Sequence, residues 1–528
     1  MSKKFSKAIA MILCVVSLLA MVGCGGTTEK AETSAPAASG DKAEAPAAAA
    51  AESKPVVVAV PDIFNTLNPF ATNNVSDQVI FNQVYETLAV LGEDSTAQPC
   101  LAKSWEISED GLVYTIKLVE DAVFHNGEKL TAQDVAFTYE WAKQFPGRQL
   151  YYKSVVSTEI VDDYTIVFTL DSPQPLFMTY SQSVPIMNEK FVTEKGEEGL
   201  AKEVCGTGPY TITSYDPAVA VKLAAFPDYR LGEAPIKEAE IRYYSDKSTA
   251  QIALETGDIH LMSVPTTSAL IFEMDENFNT QRTLPLYTAL IAMNTTVEPF
   301  DNKLVRQAFA YAIDRQSVID IAYDGLGTLA NFMCYTNCFG VDYSDAIQYT
   351  YDPAKAKELL AEAGYPDGLN LSDFGVEMKT FAGYHSKIAE IFQQNLADIG
   401  VTIEIVNTET PDEDVESGNY SIMNQGITYR ADFSYSECHY GSVGIGGNNY
   451  AQMNDPWVDE MFAKGVKETD PEERKVIYKE LIEYLVDYCP CVYIFHKEEI
   501  FAWDKDLNAN VKDATMFPYH IYEWSWNA

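Results

Sequence analysis

The apolar residues of the segment from Asn302 to Gly327 predict a helix with one buried face. They recur at i, i+1, i+4 and i+5, the spacing that places side chains on one side of an α-helix. They are Leu304, Val305, Ala308, Phe309, Ala312 and Ile313. The polar residues between them are left for the opposite face: Lys303, Arg306, Gln307, Asp314 and Arg315. Gly325 provides a C-terminal stop, so the pattern predicts an amphipathic helix in a large globular protein.

Two other kinds of apolar pattern predict strands. The continuous run from Val56 to Val60 is typical of a buried strand. The residues from Leu112 to Leu118 instead alternate apolar with polar, as in a half-buried strand, and Asp110-Gly111 precedes them as a turn. Strands interspersed with helices after residue 350 favour an α/β fold.

Capping residues predict where several helices begin. Thr131 and Asp134 have the spacing of a capping box. Asp352-Pro353 opens a helix that should stop at Gly364, and Pro471 occupies the first turn of a helix over 472–488. A further helix is expected over 77–88.

The length and charge of the chain limit its class. With 528 residues it should divide into two or three domains. It carries 77 acidic and 37 basic residues, a formal charge of −40. Phosphates would be repelled by that charge, so we expect neither nucleic acid nor anionic lipid headgroups as partners.

The N-terminus predicts export and lipidation. Lys3, Lys4 and Lys7 precede an apolar run over 8–23, which is shorter than a transmembrane helix usually requires and has the length of a signal-peptide core. The following Cys24 is in the setting of a bacterial lipoprotein box, with an ordinary signal peptide or an uncleaved anchor as alternatives. We predict a signal peptide over 1–23, then a lipidated Cys24 and a tether through residue 54.

Several motifs resemble one family in wording and order. They are VRQAFAYAIDR, the segment PCLAKSWEISEDGLVYTIKLVEDAVFHNGEKLTAQDV, the turn GTGPY and the loop GNNY. Together they resemble the family 5 extracellular solute-binding proteins, the oligopeptide-, dipeptide- and nickel-binding components of ABC importers. The resemblance extends over residues 56–510.

The resemblance implies an α/β fold of two lobes, periplasmic-binding-protein-like, of type II and the large class with an extra subdomain, with the ligand in the interlobe cleft. The implied boundaries place lobe I at 55–85, 206–290 and 499–528, the inserted subdomain at 86–205, and lobe II at 291–498.

The function implied by the resemblance is capture of short peptides and their delivery to an ABC permease in the membrane. The chain would be a monomer without a cofactor or catalytic residues, held at the Gram-positive outer face or in the periplasm by its lipid anchor alone. A nickel chelate, haem or an oligosaccharide is the alternative ligand. A secreted hydrolase is the other alternative class, although the chain has neither HExxH nor GxSxG.

The resemblance also implies ligand-binding residues. In peptide-binding members an Asp of an Ala-Asp segment pairs with the ligand ammonium, and Asp432 occupies that segment here. Arg430 would balance Asp432 or meet a ligand carboxylate. Tyr429, Asn294 and Tyr85 are further candidates for lining the cleft, and 446–450 would lie at its entrance.

The cysteines leave several possibilities open. Seven remain beyond Cys24: Cys100, Cys205, Cys334, Cys338, Cys438, Cys489 and Cys491. Cys334 and Cys338 could form a loop disulfide, or half of a metal site with Cys438-His439, or remain buried thiols. Because the CxxC spacing is missing, we predict no metal site.

Overall fold

The structure, a computed structural model, describes residues 54–92, 96–145, 151–511 and 519–527. The predicted signal peptide, Cys24 and residues 25–53 of the tether lie outside the described residues. Among the described helices, none combines the length and apolarity needed to cross a membrane.

The strands run from the first described residues to the C-terminal tail. They are β1 Val56–Val60, β2 Ala89–Leu91, β3 Ala97–Pro99, β4 Ala102–Ile107, β5 Val113–Leu118, β6 Val155–Asp162, β7 Thr165–Leu170, β8 Tyr210–Asp216, β9 Ala220–Ala225, β10 Glu238–Tyr243, β11 Leu261–Ser263, β12 Phe278–Thr283, β13 Tyr287–Met293, β14 Gly327–Leu329, β15 Leu369–Asn370, β16 Glu377–Thr380, β17 Val401–Thr402, β18 Glu404–Asn407, β19 Ile422–Thr428, β20 Cys491–Lys497, β21 Glu499–Asp504, β22 Leu507–Asn508 and β23 Ser525–Trp526.

Helices alternate with these strands. They are α1 Val75–Val84, α2 Ala132–Ala142, α3 Phe177–Ser181, α4 Glu189–Leu200, α5 Lys247–Glu255, α6 Thr266–Met274, α7 Lys303–Ala312, α8 Arg315–Ala322, α9 Pro353–Glu362, α10 Tyr384–Asp398, α11 Pro411–Ser417, α12 Glu437–Tyr440, α13 Pro456–Lys467 and α14 Pro471–Tyr488. Short 3-10 helices span Leu371–Phe374, Phe433–Ser436, Ser442–Gly444 and Ile521–Glu523.

Lobe I is built on a seven-stranded sheet in the order β12-β21-β11-β1-β10-β9-β8. The buried strand β1 lies at its centre, parallel to both neighbours β10 and β11. Successive side chains of β1 point to opposite faces, so Val56, Val58 and Val60 enter one hydrophobic core while Val57 and Ala59 enter the other. The continuous apolar run is thereby explained.

Two further sheets complete the body. Lobe II contains the six-stranded sheet β14-β20-β13-β19-β16-β18, and the segment predicted to form the inserted subdomain contains the four-stranded sheet β4-β5-β7-β6. The two-lobed α/β prediction is confirmed. The chain passes between the lobes at 284–286 and at residue 498. All of β13 belongs to the second sheet, although a boundary at residue 290 had been expected within it.

The helix predicted over 302–325 is two helices, and only part of its polar face is solvent-exposed: Lys303 is exposed, whereas Arg306, Gln307 and Arg315 are buried. The break falls at Ile313, and Asp314 caps α8 by accepting a hydrogen bond from the Ser317 amide at 3.1 Å. Arg306 and Arg315 are buried, contrary to the expected amphipathic pattern.

These two arginines satisfy carbonyl groups of remote segments. Arg306 donates to the carbonyls of Cys489 at 3.1 Å and Tyr488 at 2.7 Å, at the end of α14. Because the last carbonyls of a helix have no partner within it, a buried guanidinium group is suited to this position. Arg315 donates to the carbonyls of Tyr493 in β20 at 2.6 Å and of Tyr349 at 2.7 Å.

The end of α1 is set by a close approach of the chain. The Gly208 amide donates to the Val84 carbonyl at 2.9 Å, and a Cβ on Gly206 would lie 2.0 Å from the same oxygen. The expected helix over 77–88 therefore ends four residues early, at Val84. The GTGPY turn does open a strand, β8, as predicted.

Other local predictions are confirmed. The Thr131 amide donates to the Asp134 carboxylate at 3.0 Å, which forms the capping box of α2. Asp352 and Asp470 cap α9 and α14, each of which has its proline in the first turn.

Candidate functional site

A cavity of about 400 Å³ lies where the two lobes meet. Its floor is formed by residues at the carboxyl ends of three parallel strands: Pro61 and Asp62 after β1, Tyr244 after β10, and Ser263 of β11. Because β10 and β11 lie on opposite sides of β1, the strand order reverses at this point. In open α/β sheets ligands bind in the crevice at such a reversal.

The opposite wall belongs to lobe II. Thr428 at the end of β19 lines it together with Tyr287, which is paired with Thr428 across β13 and β19. The Tyr287 hydroxyl lies 2.6 Å from that of Tyr384. A Cβ on Gly426 would lie 1.6 Å from the Tyr287 hydroxyl oxygen, so only glycine leaves room for this tyrosine.

Charges of both signs line the cavity. Lys497 Nζ lies 2.5 Å from Glu499 Oε1, and Lys247 Nζ donates to Ser263 Oγ at 3.2 Å. Loss of solvent lowers the pKa of Lys247, while Glu499 acts in the opposite direction. Burial opposes ionisation of Glu499, but Lys497 and Lys247 together lower its pKa. With Asp62, the cavity presents two cationic and two anionic side chains.

The rest of the lining is mainly apolar. It includes Val60, Val75, Val79, Ala250, Met262, Leu284, Leu286 and Phe501. A concave apolar site with a few convergent polar groups is the usual form of a small-molecule site.

Tyr429 and Arg430 follow Thr428 beyond the end of β19. Tyr429 is buried in lobe II, where its ring lies 6.3 Å from that of His496. The half-buried Arg430 has its guanidinium 5.2 Å from the centre of the Tyr435 ring.

Two tyrosines of the inserted subdomain face this part of lobe II. Tyr151 and Tyr180 have ring centres 6.0 Å apart. Burial and then the Asp432 carboxylate raise the pKa of Tyr180, and the phenols of Tyr151 and Tyr435 raise the pKa of Arg430 against the effect of burial. The structure therefore brings side chains of the two lobes together around Arg430.

Asp432 has a defined partner in the structure. Arg474 Nη2 donates to its two carboxylate oxygens at 3.0 and 3.1 Å. The amide and hydroxyl of Ser434 donate to the same carboxylate at 2.9 and 2.8 Å. Of the two roles considered for Arg430, that of balancing Asp432 is therefore filled by Arg474, and contact of Asp432 with a ligand stays a prediction.

Asn294 and Tyr85 lie apart from this segment. Asn294 follows the far end of β13, roughly 20 Å along the strand from Tyr287. Its amide nitrogen donates to the Tyr420 carbonyl at 3.2 Å, and its oxygen accepts from the Thr296 hydroxyl at 2.7 Å. Tyr85 is buried in lobe I against Phe81. The structure does not bring these two residues together with Arg430.

The loop at 446–450 is fixed by the buried Asn449. Its amide nitrogen donates to the carbonyls of Gly441 at 2.9 Å and Met453 at 2.8 Å, and its oxygen accepts from the Met453 amide. These hydrogen bonds show that the Asn449 side chain holds the backbone of the loop in place.

Sequence reasoning missed most of the cavity. Lys247, Lys497 and Glu499 follow no motif, and Tyr151 and Tyr180 are brought opposite Arg430 only by the inserted subdomain. Asp62 and Tyr244 had a usable signal, because they follow the carboxyl ends of two strands by two residues and one residue.

The cysteines between Cys100 and Cys491 carry free thiols in the structure. Cys100, Cys205, Cys334, Cys338, Cys438, Cys489 and Cys491 are all free. Among the described residues, His, Cys, Asp and Glu form no group of three or more that could hold a metal ion.

Comparison with known proteins identifies the family. Residues 96–440 match the family described as bacterial extracellular solute-binding proteins, family 5 middle. This chain belongs to that family. It is thus an extracytoplasmic solute-binding component of an ABC importer, and the resemblance found in the sequence is confirmed.

Relatives match over nearly their whole length. The glutathione-binding protein GsiB of Salmonella typhimurium is 29% identical over 473 residues, which cover 86% of this chain and 91% of GsiB. The structure of HbpA2 from Haemophilus parasuis has a TM-score of 0.81 at 27% identity and covers 90% of this chain and 100% of its own. The ABC transporter substrate-binding protein CtaP from Listeria monocytogenes has a TM-score of 0.79 at 25% identity, with coverage of 90% and 100%.

Proposed function

We propose that this protein captures short peptides between its two lobes and delivers them to an ABC permease. The observation that carries the proposal is the interlobe cavity, whose lysines and carboxylates surround an apolar space. A peptide with free termini is a zwitterion with apolar parts, so it complements all three features. The cavity of about 400 Å³ is within the size range of small-molecule sites.

The peptide termini have candidate partners of the correct sign. Lys247 would attract the terminal carboxylate, because its ammonium has a lowered pKa and gains from a nearby anion. Asp432 remains the proposed partner of the ligand ammonium, which would share the carboxylate with Arg474. GsiB is named for binding glutathione, a tripeptide, and this supports a short peptide-like ligand.

The proposed location is the outer side of the cell membrane. Cys24 would carry the lipid and residues 25–54 would tether the folded body, which fits a chain that works with a membrane permease. Substitution Cys24→Ser should release the protein from the membrane fraction of expressing cells. Retention of this variant at the membrane would count against the lipid anchor.

The experiment that tests the ligand class is to purify the protein, denature it and identify the released molecules by mass spectrometry. A set of short peptides is the expected result. A nickel chelate, haem or an oligosaccharide would preserve the importer role and overturn the peptide assignment. If nothing is released, the melting temperature should be measured with defined peptides and with glutathione. A bound ligand should raise it, because a ligand at 100 times its Kd adds about 2.7 kcal/mol to the free energy of unfolding.

Variants then connect the ligand to the cavity. Lys247→Met should weaken peptide binding, whereas Lys355→Met should not, since Lys355 pairs with Glu358 on the exposed surface of α9. N-acetylated peptides should bind more weakly than free ones if Asp432 holds the ammonium. Equal affinity for both forms would show that the carboxylate serves Arg474 alone.

A further inference from the structure

Glu498 is the single residue through which the chain returns from lobe II to lobe I. Strand β20 of lobe II ends at Lys497, and strand β21 of lobe I begins at Glu499. Lys497 and Glu499 both line the cavity, and their Nζ and Oε1 atoms lie 2.5 Å apart on either side of this passage. Glu498 is not among the lining residues, because successive side chains of an extended chain point to opposite sides.

The carboxylate of Glu498 is held by both lobes. Its Oε1 accepts a hydrogen bond from the hydroxyl of Thr328, in β14 of lobe II, at 2.6 Å. Its Oε2 accepts one from Nη1 of Arg282, in β12 of lobe I, at 3.1 Å. These three side chains form a brace between the lobes. If one lobe rotates about the passage, the carboxylate moves with that lobe and its bond to the other lobe lengthens.

Arg282 is itself fixed within lobe I. Its Nε and Nη2 donate to the two carboxylate oxygens of Glu273, in α6, at 2.7 and 2.9 Å. A bidentate pair of this kind sets the orientation of the planar guanidinium group and directs the remaining nitrogen, Nη1, toward Glu498. The brace is therefore anchored to helix α6 and not to a freely rotating side chain.

The same helix also contacts lobe II near its other end. Thr266, the first residue of α6, donates its hydroxyl proton to Asp324 Oδ2 at 2.6 Å. Asp324 lies between α8 and β14 and has a φ of 53°, in the left-handed region that residues other than glycine seldom adopt. Because Thr328 belongs to the strand that follows this turn, both bonds connect α6 and its ion pair to one turn-and-strand unit of lobe II.

We propose that Glu498 is a positioning residue for the cavity. Its carboxylate, shared by Arg282 of lobe I and Thr328 of lobe II, stabilises this arrangement of the lobes. The arrangement keeps Lys497 beside Glu499, where both can face a captured molecule. The effect on the lobes does not depend on which ligand is bound, whereas the effect on peptide affinity rests on the proposed function. Without the brace, the lobes should separate more readily and a captured peptide should dissociate faster.

The first measurement needs no ligand. Fluorophores attached through unnatural amino acids at the exposed Lys222 of lobe I and Glu480 of lobe II report the distance between the lobes by single-molecule energy transfer. Glu498→Gln removes the charge with little change of shape and should shift the distribution toward more widely separated lobes. Thr328→Val should do the same from the other lobe, and Thr328→Ser, which keeps the hydroxyl, should restore the wild-type distribution.

The second measurement is the dissociation rate of two defined probes, glutathione and trialanine. Glu498→Gln should raise this rate by about 3- to 30-fold, the effect of weakening hydrogen bonds to a charged group. The ratio of the two affinities should not change, because Glu498 does not line the cavity. Glu358→Gln is the matched control, since it removes a carboxylate that pairs with Lys355 on the exposed surface of α9.

The two proposals fail in different ways. Unchanged lobe distances in both Glu498→Gln and Thr328→Val overturn the positioning role, and a lower stability in urea with unchanged distances indicates a purely structural contact. Altered distances with unchanged dissociation rates overturn the link between the brace and the cavity. If the wild-type protein binds neither probe while the variants alter the lobe distances, the peptide function fails and the brace stands.

Discussion

Arg474 holds the carboxylate of Asp432 across 42 residues of sequence, with Nη2 at 3.0 and 3.1 Å from its two oxygens. Both side chains are buried, at 6% and 7% exposure. Arg474 Nε also donates to the carbonyl of Gly465 at 3.1 Å, and its guanidinium lies 4.9 Å from the centre of the Phe339 ring. The pair thus connects α13, α14 and the segment that follows β19.

Removal of one partner should be costly for stability. Arg474→Met leaves the Asp432 carboxylate buried without its counter-ion, so we expect a loss of about 3–5 kcal/mol in the free energy of unfolding. Asp432→Asn combined with Arg474→Met should lose less than the sum of the single variants, because the uncompensated charge is absent. Urea unfolding of the four proteins measures both quantities. Strictly additive losses would contradict a coupled pair.

The absence of a side chain at Gly426 should be needed for Tyr287 to keep its position in the cavity wall. Gly426→Ala places a methyl group against the Tyr287 hydroxyl and should displace that ring, at a cost of about 1–3 kcal/mol in stability and with weaker ligand binding. Gly447→Ala is the matched control for the stability measurement, because a Cβ there would meet its nearest neighbour at an ordinary 3.5 Å. Thermal unfolding and a binding titration would show the contrast. An unaltered affinity in Gly426→Ala would exclude Tyr287 from the ligand wall.

Stability should fall in mild acid because buried histidines are held neutral. Burial lowers the pKa of His260 to about 4, and its Nδ1 accepts a hydrogen bond from the Val57 amide at 2.9 Å, which requires the neutral ring. The unfolded chain has the ordinary pKa of about 6.5 and binds the proton first. The stabilisation is therefore complete above pH 6.5 and is lost as pH falls toward 4, at up to about 1.4 kcal/mol per pH unit for each such group.

His260→Asn isolates this contribution, since the asparagine oxygen can occupy the acceptor position and does not titrate. The free energy of unfolding of the variant, measured in urea at several pH values from 7 to 4, should have a shallower slope than that of the wild type. Identical slopes would mean that His260 is not neutral in the folded protein.

Arg306 should matter more than its position on a helix suggests. Arg306→Met removes the donors to the carbonyls of Phe300, Tyr488 and Cys489, so we expect a loss of at least about 3 kcal/mol. Lys303→Met on the same helix should cost less than about 1 kcal/mol, because its pair with Asp487 is partly exposed to solvent. Chemical denaturation compares them. Equal effects would argue against a capping role for Arg306.

Much of the fold could be predicted from local patterns in the sequence. The buried run of β1, the alternation of β5, the capping box of α2 and the proline starts of α9 and α14 depend on residues within a few positions of each other. These patterns predict the elements correctly because helix caps and the periodicity of side chains depend on residues close together in the sequence. The succession of these elements, together with the family motifs, was enough to predict two lobes.

The tertiary structure decided what the charged residues do. Arg306 and Arg315 satisfy the expected helical spacing, yet they are buried because remote segments bring carbonyls to them, the end of α14 to Arg306 and strand β20 to Arg315. Asp432 was assigned to a ligand from its motif, and the structure supplies Arg474 as its counter-ion. The cavity lysines and the tyrosines opposite Arg430 come from separate parts of the chain. Charge pairing and cavity shape depend on distances between remote residues, and the sequence alone does not contain those distances.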